Sequence, residues 1–449
     1  MRIMTRIIIP TDVFSMLSIL NKNGFESYAV GGCVRDSLLG KVPHDWDICT
    51  NAVPDEVKNV FADYDIIETG LKHGTLTVKG EDDFYEITTF RIDGDYSDGR
   101  HPDNINFVKS LSEDLARRDF TVNAMAADKE GNIIDYNNGI KNLNQKLIRC
   151  VGNPDERFKE DSLRILRALR FAARYNFRIE NQTKEAIHRN KKLLENVSQE
   201  RITSEFRQII RFANKEILME FSDVVETIIP EIGNCIGFNQ NNPHHIYNVY
   251  EHIATAVDFA IFNESIRLAL LFHDIGKPKT YIEDDRGIGH FPRHAIIGSE
   301  MTQNILERMR FDKKTTEEVV TLVKYHDLVI SATPSFARRM LGKLGEEHLF
   351  NLMEVMRCDK MAQSDNPDRE KTLSDICDFN GNIEMVLGEQ DCFSVKDLVV
   401  NGNDLKKIGI PEGPNIGKVL KELLDCVIEY PDQNKKEVLL EKAKNIKLP

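Results

Sequence analysis

The chain has 449 residues, 41% hydrophobic and 29% charged, which is enough for several packed cores and excludes a largely disordered or low-complexity chain. With 59 Lys and Arg against 72 Asp and Glu its net charge is −13, so the chain as a whole repels phosphate backbones and any contact with nucleic acid must be local. Its eight cysteines form no CxxC pair and fit a reducing cytoplasm, and neither the three isoleucines at 7–9 nor any later apolar run reaches the length of a signal segment or a membrane span.

In chain order, Pro10 and Thr11 open a helix with Val13, Phe14, Leu17 and Leu20 on one face and Gly24 at its end. SYAV (27–30) reads as a short strand that turns at Gly31-Gly32 into a second helix ending near Gly40. Alternating segments at WDIC, GTLTV and FYEITTF complete a small twisted sheet within the first 150 residues. On the WDIC strand the period of two puts Asp45 and Asp47 on one face and Trp46, the only tryptophan, on the other. Two carboxylates converging on one point suit magnesium, which takes one or two protein carboxylates and completes its shell with substrate phosphates. Glu86, in YEITTF, is a third carboxylate for a two-metal site serving in-line attack of a hydroxyl on a nucleoside triphosphate. The turn Gly31-Gly32-Cys33-Val34-Arg35-Asp36 lets backbone N–H groups approach phosphates, with Arg35 as a counter-charge. Further on, Arg117-Arg118-Asp119-Phe120-Thr121-Val122-Asn123 packs cations beside an acid and an amide, a set suited to a triphosphate and a ribose.

From about 155 the strand signals vanish. Over 157–217 fifteen Lys or Arg stand against eight Asp or Glu, which is the local basic surface that the overall charge demands. Within it, EDSLRILRALRF (160–171) runs Ile165, Leu166, Leu169 and then Ala172 along a buried stripe and winds Asp161, Arg164, Arg167 and Arg170 along the other side. As surface pairs these charges contribute only a few tenths of a kcal/mol. A base gives them more to do. Cytosine and adenine both present an exocyclic amine beside a ring-nitrogen acceptor, where uracil and guanine present a carbonyl. A carboxylate accepting from the amine, next to an arginine donating to the ring nitrogen, admits C and A and rejects U and G with no nucleic-acid template. Residues 218–385 stay helical and histidine-rich, and the stretch from 386 carries a Gly/Pro-rich loop, IGIPEGPNIG, ahead of amphipathic helix.

GGxVRD, DWD, RRDFTVNAM, EDxLRxLRAxRF and SQERITSE (198–205) stand in the order and approximate spacing of the bacterial class II tRNA nucleotidyltransferases, the CCA-adding enzymes, which residues 25–217 resemble. The resemblance implies a multidomain α+β chain. Its parts are a small mixed α/β nucleotidyltransferase head (1–150), a helical neck that selects the base (151–217), a helical body (218–385) and a helical tail that binds tRNA (386–449). It implies that Gly32 and Arg35 contact the nucleotide, that Asp45 and Asp47 hold magnesium with Glu86 as a third acid, and that Arg118 binds the triphosphate in the company of Asp119 and Asn123. Asp161 and Arg164 become an amino-acid template for the incoming base, with Arg167 and Arg170 helping to bind the nucleotide. RIDGDYSDGRHPD (91–103) resembles the family's flexible loop needed to switch to adding A. The implied partners are tRNA, CTP and ATP, with no membrane and no protein partner, in the cytoplasm.

His252, His273-Asp274 and Asp359 keep the order H…HD…D in helical sequence, and imidazoles with hard carboxylates suit a divalent ion that leaves positions open for water and a phosphate ester. This pattern resembles an HD phosphohydrolase domain, and His294 and His326 stand where some members place additional ligands. It implies a divalent metal there and hydrolysis of RNA 2′,3′-cyclic or terminal phosphates. Two other readings stay open: a bacterial poly(A) polymerase, whose head motifs are similar but whose basic tail is absent here, and an HD phosphohydrolase that uses a degenerate head only to bind RNA.

Overall fold

The computed structural model describes residues 6–81, 83–94, 105–243, 246–365 and 367–446, which fall into two compact units, Met1–Pro230 and Glu231–Pro449. The mixed α/β head and the helical remainder follow the expected fold class. Among the described residues no helix is long and apolar enough to cross a membrane, and all eight cysteines are free.

The first unit opens with α1 (Thr11–Lys22), whose buried face is Val13, Met16, Leu17 and Leu20, while Phe14 points outward and stays 45% exposed. β1 (Ser27–Val30) leads through Gly31 into α2 (Gly32–Leu38), and β2 (Asp47–Thr50) returns antiparallel to β1 with Val30 opposite Asp47. This register sets Asp47 beside the glycine turn. After α3 (Pro54–Val60) come β3 (Ile66–Gly70), β4 (Thr75–Lys79) and β5 (Phe84–Thr89). β6 (Arg91–Asp93) and β7 (Ile105–Phe107) form a separate antiparallel pair, and the loop predicted over 91–103 lies mostly outside the described residues. With β8 (Ala126–Ala127) and β9 (Ile133–Ile134) the main sheet has the order β3-β4-β5-β2-β1-β8-β9. β2 and β5 run parallel in the register Ile48 to Ile87, so Asp47 and Glu86, one residue earlier on each strand, share a face. α4 (Leu111–Ala116) closes a core of Val30, Cys49, Phe90, Leu111, Leu115 and Ala126.

α5 (Gly139–Asn144) and β10 (Leu147–Ile148) lead into the helical segment, where α6 (Pro154–Glu160) and α7 (Leu163–Tyr175) are separated by Asp161 and Ser162. One short strand interrupts the predicted all-helical stretch, β11 (Arg178–Ile179), which pairs parallel with β10. α8 (Asn181–Asn190) and α9 (Gln199–Phe212) follow; α7 packs along α9 and buries its stripe of Ile165, Leu166, Leu169 and Ala172. α10 (Lys215–Glu220) and α11 (Ser222–Ile228) end the unit.

The second unit is helical apart from the hairpin β12 (Ile282–Glu283) and β13 (Gly289–His290). α12 (Val249–Phe259), α13 (Glu264–Phe272), α14 (Lys277–Thr280), α15 (His294–Arg308) and α16 (Lys313–Tyr325) precede α17 (Pro334–Leu344), α18 (Glu346–Met361) and α19 (Pro367–Gly388). α12, α13, α16 and α18 pack on one another, so His252 on α12, Asp359 on α18, and His273 and His326 directly after α13 and α16 meet in the interior. α20 (Gly402–Lys407), α21 (Pro414–Glu429) and α22 (Lys436–Asn445) bury Leu405, Val419, Leu423, Val427 and Leu439 in a small core of their own.

Candidate functional site

A cavity of about 490 Å³ in the first unit is walled by eight arginines (35, 117, 118, 164, 167, 170, 174 and 201), by Asp47, Asp119 and Asp161, and by Gly31, Gly32 and Asn123. So concentrated a set of guanidinium groups in a chain of charge −13 makes a focused anion site. Most of these charges are already oriented by acids. Asp114, fully buried, holds Arg117 at 2.8 Å and Arg118 at 3.3 Å. Burial opposes the charge on Asp114, but the two guanidinium groups prevail and lower its pKa. Arg35 donates to both oxygens of Asp36 at 2.9 and 3.0 Å and to Asn123 at 2.5 Å, and its plane covers the Tyr175 ring at 4.7 Å. Arg35 is thus a tethered group with its own counter-ion, unlike the lone counter-charge expected from the turn.

The strand carries only half of the expected pair. Asp47 begins β2 and lines the cavity, whereas Asp45 precedes the strand, because pairing with β1 starts only at Val30 opposite Asp47. The period-two argument for Asp45 therefore does not apply. Glu86 and Asp45 still act on Asp47: burial among protein atoms raises its pKa, both carboxylates raise it further and Arg118 opposes them, although the side chain reaches solvent at the cavity mouth. Mutual repulsion among these acids is what a divalent cation relieves, so the donor set fits magnesium. The three do not close into a group within 4.8 Å of one another, in contrast to the second unit.

Of the two glycines in the turn, Gly31 is the one the backbone requires. It has φ +83°, and a Cβ there would stand 3.0 Å from Arg118 Nη1, whereas a Cβ on Gly32 would meet Arg35 at an ordinary 3.6 Å.

The base-reading segment is not one continuous helix. Asp161 has extended backbone, with φ −139°, one residue before the N-cap Ser162, and its Oδ1 accepts the N–H of Leu163 at 3.1 Å, so the i, i+3 ladder begins at Arg164. Arg164 donates to Glu160 at 2.6 Å and to the Arg117 carbonyl at 3.2 Å, which places it beside Asp161 in the same wall. Arg167 donates to Asp119 at 2.9 and 2.6 Å, and Asn123 donates to the other Asp119 oxygen at 3.0 Å. Arg170 covers Phe171 at 4.6 Å. Asp114, Arg174, Tyr175 and Arg201 were not singled out from sequence. Only the spacing of Asp114 ahead of Arg117 and Arg118, at i+3 and i+4, is a signal that could have found one of them.

Burial pushes the Asp119 carboxyl up, but Arg167, Asn123 and the Phe120 N–H outweigh it and hold it at about 2. A carboxyl depressed in this way contributes stability above its unfolded value near pH 4, and loses it as the pH falls through the folded value. Asp119→Asn is therefore expected to cost about 2 kcal/mol at neutral pH. Urea titrations at successive pH values should show the gap from the wild type closing between about pH 4 and 2.

In the second unit, His252, His273, Asp274 and Asp359 come together as the H…HD…D order predicts, and His294 and His326 join them. His252 Nε2 lies 3.1 Å from His273 Nε2, 2.9 Å from Asp359 Oδ1 and 3.4 Å from Asp274 Oδ2. On the other side of the Asp274 carboxylate, Oδ1 lies 3.5 Å from His294 Nε2 and 3.9 Å from His326 Nε2, which are 3.2 Å apart. The four Nδ1 atoms face backbone carbonyls of Ala362, Leu270, Phe291 and Val323 at 3.3, 2.7, 2.9 and 2.6 Å, respectively. A carbonyl can only accept, so each Nδ1 carries a proton and each Nε2 is the ring nitrogen turned inward, where a metal can be bound. Lone pairs 3.1 and 3.2 Å apart repel unless a cation or a proton lies between them. Asp274 Oδ2 is buried without a hydrogen bond; Lys277 Nζ, which donates to Gln240, forms an ion pair with it at 2.7 Å. Orphaned donors of this kind fit a divalent metal in each of the two triads, His252–His273–Asp274 and Asp274–His294–His326. A cavity of about 370 Å³ opens onto them, with Lys277, Lys360 and Arg369 in its wall. Of the other histidines in this stretch, His290 pairs with Asp284 at 3.2 Å, and His244 and His245 lie outside the described residues.

A family model described as the poly A polymerase head domain matches residues 27–149, and one described as tRNA nucleotidyltransferase domain 2 matches residues 294–443. Over 435 residues the chain is 34% identical to the CCA-adding enzyme of Lactobacillus johnsonii, an alignment covering 96% of each chain. It is 50% identical over 435 residues to the CCA-adding enzyme of Lactobacillus helveticus, covering 95% of this chain and 96% of the other. Among solved structures it is similar to the Bacillus stearothermophilus CCA-adding enzyme in complex with CTP, with a TM-score of 0.69, 25% identity and 98% of each chain covered.

Proposed function

Because this chain belongs to the CCA-adding enzyme family, we propose that it adds C, C and A in turn to the 3′ end of tRNA, with CTP and ATP as substrates and no nucleic-acid template. The observation that supports this most is the cavity of the first unit, where Asp47, the arginine cluster and the Asp161–Arg164 pair line one wall. In this reading the tRNA 3′ hydroxyl attacks the α-phosphate, the bond to the β-phosphate breaks and pyrophosphate leaves. Magnesium held by Asp45 and Asp47, with Glu86 alongside, would activate the hydroxyl and shield the triphosphate. Arg118, Arg167 and Arg170 bind the nucleotide, Gly31-Gly32 brings backbone close to it, and Arg35, Asp119 and Asn123 hold that wall in shape. Asp161 accepts from the amine of the base and Arg164 donates to its ring nitrogen. The head (1–150) then does the chemistry, the neck (151–217) selects the base, and the tail (386–449) holds tRNA.

The test uses tRNA ending at the discriminator base and each labelled nucleotide in turn. Addition should halt after three residues, and Asp161→Ala should lower the preference for CTP over UTP by roughly ten- to a hundredfold. Open-ended addition of A would make the protein a polymerase instead.

The six-residue cluster of the second unit favours a second activity, metal-dependent hydrolysis of 2′,3′-cyclic or terminal phosphates on RNA. Imidazole and carboxylate ligands leave coordination positions for water and a phosphate oxygen, and Lys277, Lys360 and Arg369 line the cavity with positive charge.

A further inference from the structure

SQERITSE (198–205) has entered the site so far only through Arg201 in the cavity wall, yet its helix, α9, sets Arg201 and Glu205 one turn apart against the functional side of α7. Each meets its opposite charge. Arg201 Nη2 stands 3.2 Å from both oxygens of Asp161, and Glu205 lies 3.2 Å from Arg170 and 4.0 Å from Arg167. We propose that Arg201 is a positioning residue for base selection, holding the Asp161 carboxylate in the orientation that accepts from the amine of cytosine or adenine. Glu205, by the same geometry, positions the arginines that bind the nucleotide without choosing its base. The inference rests on reading Asp161 and Arg164 as the base template.

Asp161 needs such a partner because of where it stands. It lies in the break between α6 and α7, and only the Leu163 N–H fixes one of its oxygens locally. Rotation of a carboxylate about its last torsion is soft. Arg201, astride both oxygens, restrains that rotation and leaves the remaining lone pairs turned away from α9. Without it the carboxylate can turn and a water can take its place beside the base. Water donates to a carbonyl as readily as it accepts from an amine, so uracil and guanine are no longer rejected. Arg164 has equivalent support from Glu160 and the Arg117 carbonyl.

The experiment measures kcat/KM for CTP and UTP on tRNA ending at the discriminator base, using Arg201→Met, Arg201→Lys, Glu205→Gln and Asp161→Ala. Arg201→Met should cut the CTP-to-UTP ratio on the order of tenfold, the equivalent of one lost charge-assisted hydrogen bond. Arg201→Lys, which keeps a cation near both oxygens, should restore most of the ratio. Glu205→Gln should raise KM for both nucleotides several-fold and leave the ratio alone. A merely loosened neck lowers both rates together and does not move the ratio. If Arg201→Met fails to fold, Arg201→Gln supplies the same comparison. A wild-type ratio in the Arg201 variants, with the ratio collapsed in Asp161→Ala, overturns the positioning role alone. A wild-type ratio in Asp161→Ala as well overturns the template reading and this inference with it.

Discussion

Asp47→Asn is expected to reduce nucleotide addition on the order of a thousandfold or more while leaving the protein as stable as before, or slightly more so. The first half follows from position. Asp47 is the one acid of the head trio that lines the cavity, and its register opposite Val30 sets it beside the Gly31 turn and the Arg118 guanidinium. The second half follows from the direction of its pKa. Burial, Glu86 and Asp45 raise it in the folded chain, so the ionised form costs stability above the unfolded carboxylate value, and a neutral amide relieves that cost. A residue that only held the fold would behave the other way, losing stability and activity together. Single-turnover addition and thermal melts without magnesium make the comparison, and a melting temperature well below wild type would count against the assignment. The raised pKa also predicts that the magnesium concentration needed for half-maximal rate climbs as the pH is lowered, because protons compete for the same oxygens.

How much of this was legible in the sequence depends on whether a property lives on one element or between two. β1, β4 and β5 stand where alternation put them, and α7 buries the stripe that its 3.6-residue period marks. β3 escaped notice because it leaves Ile67 exposed and alternates poorly, and β8 and β9 are too short to carry a period. In the site, residue types and order were readable, but partners were not. Nothing in the spacing of Arg35 says that Asp36 and Asn123 hold it, and nothing around Arg167 says that Asp119 lies across the fold. Period-two reasoning misplaced Asp45 because strands end where pairing ends, and pairing is a property of the neighbouring strand. The break at Asp161 was hidden for a similar reason, since a side chain that bonds the first N–H of the next helix looks in sequence like another turn of it.

Asp274→Ala should abolish phosphohydrolysis and release bound metal from both triads, while nucleotide addition proceeds at the wild-type rate. One substitution reaches both triads because the carboxylate is divided between them: Oδ2 faces His252 and His273, and Oδ1 faces His294 and His326. His326→Ala removes a ligand from only one triad. Elemental analysis after exhaustive dialysis should therefore rank the proteins, with the wild type holding most metal, His326→Ala less and Asp274→Ala least. Hydrolysis of a 2′,3′-cyclic nucleotide should follow the same order, and a chelator should bring the wild type down to the Asp274→Ala level. Because the proposed addition site lies in the first unit and Asp274 in the second, thermal melts of the three proteins control for unfolding. Equal metal content in the three proteins would mean that the histidines satisfy one another by sharing protons, and the second activity would lose its support.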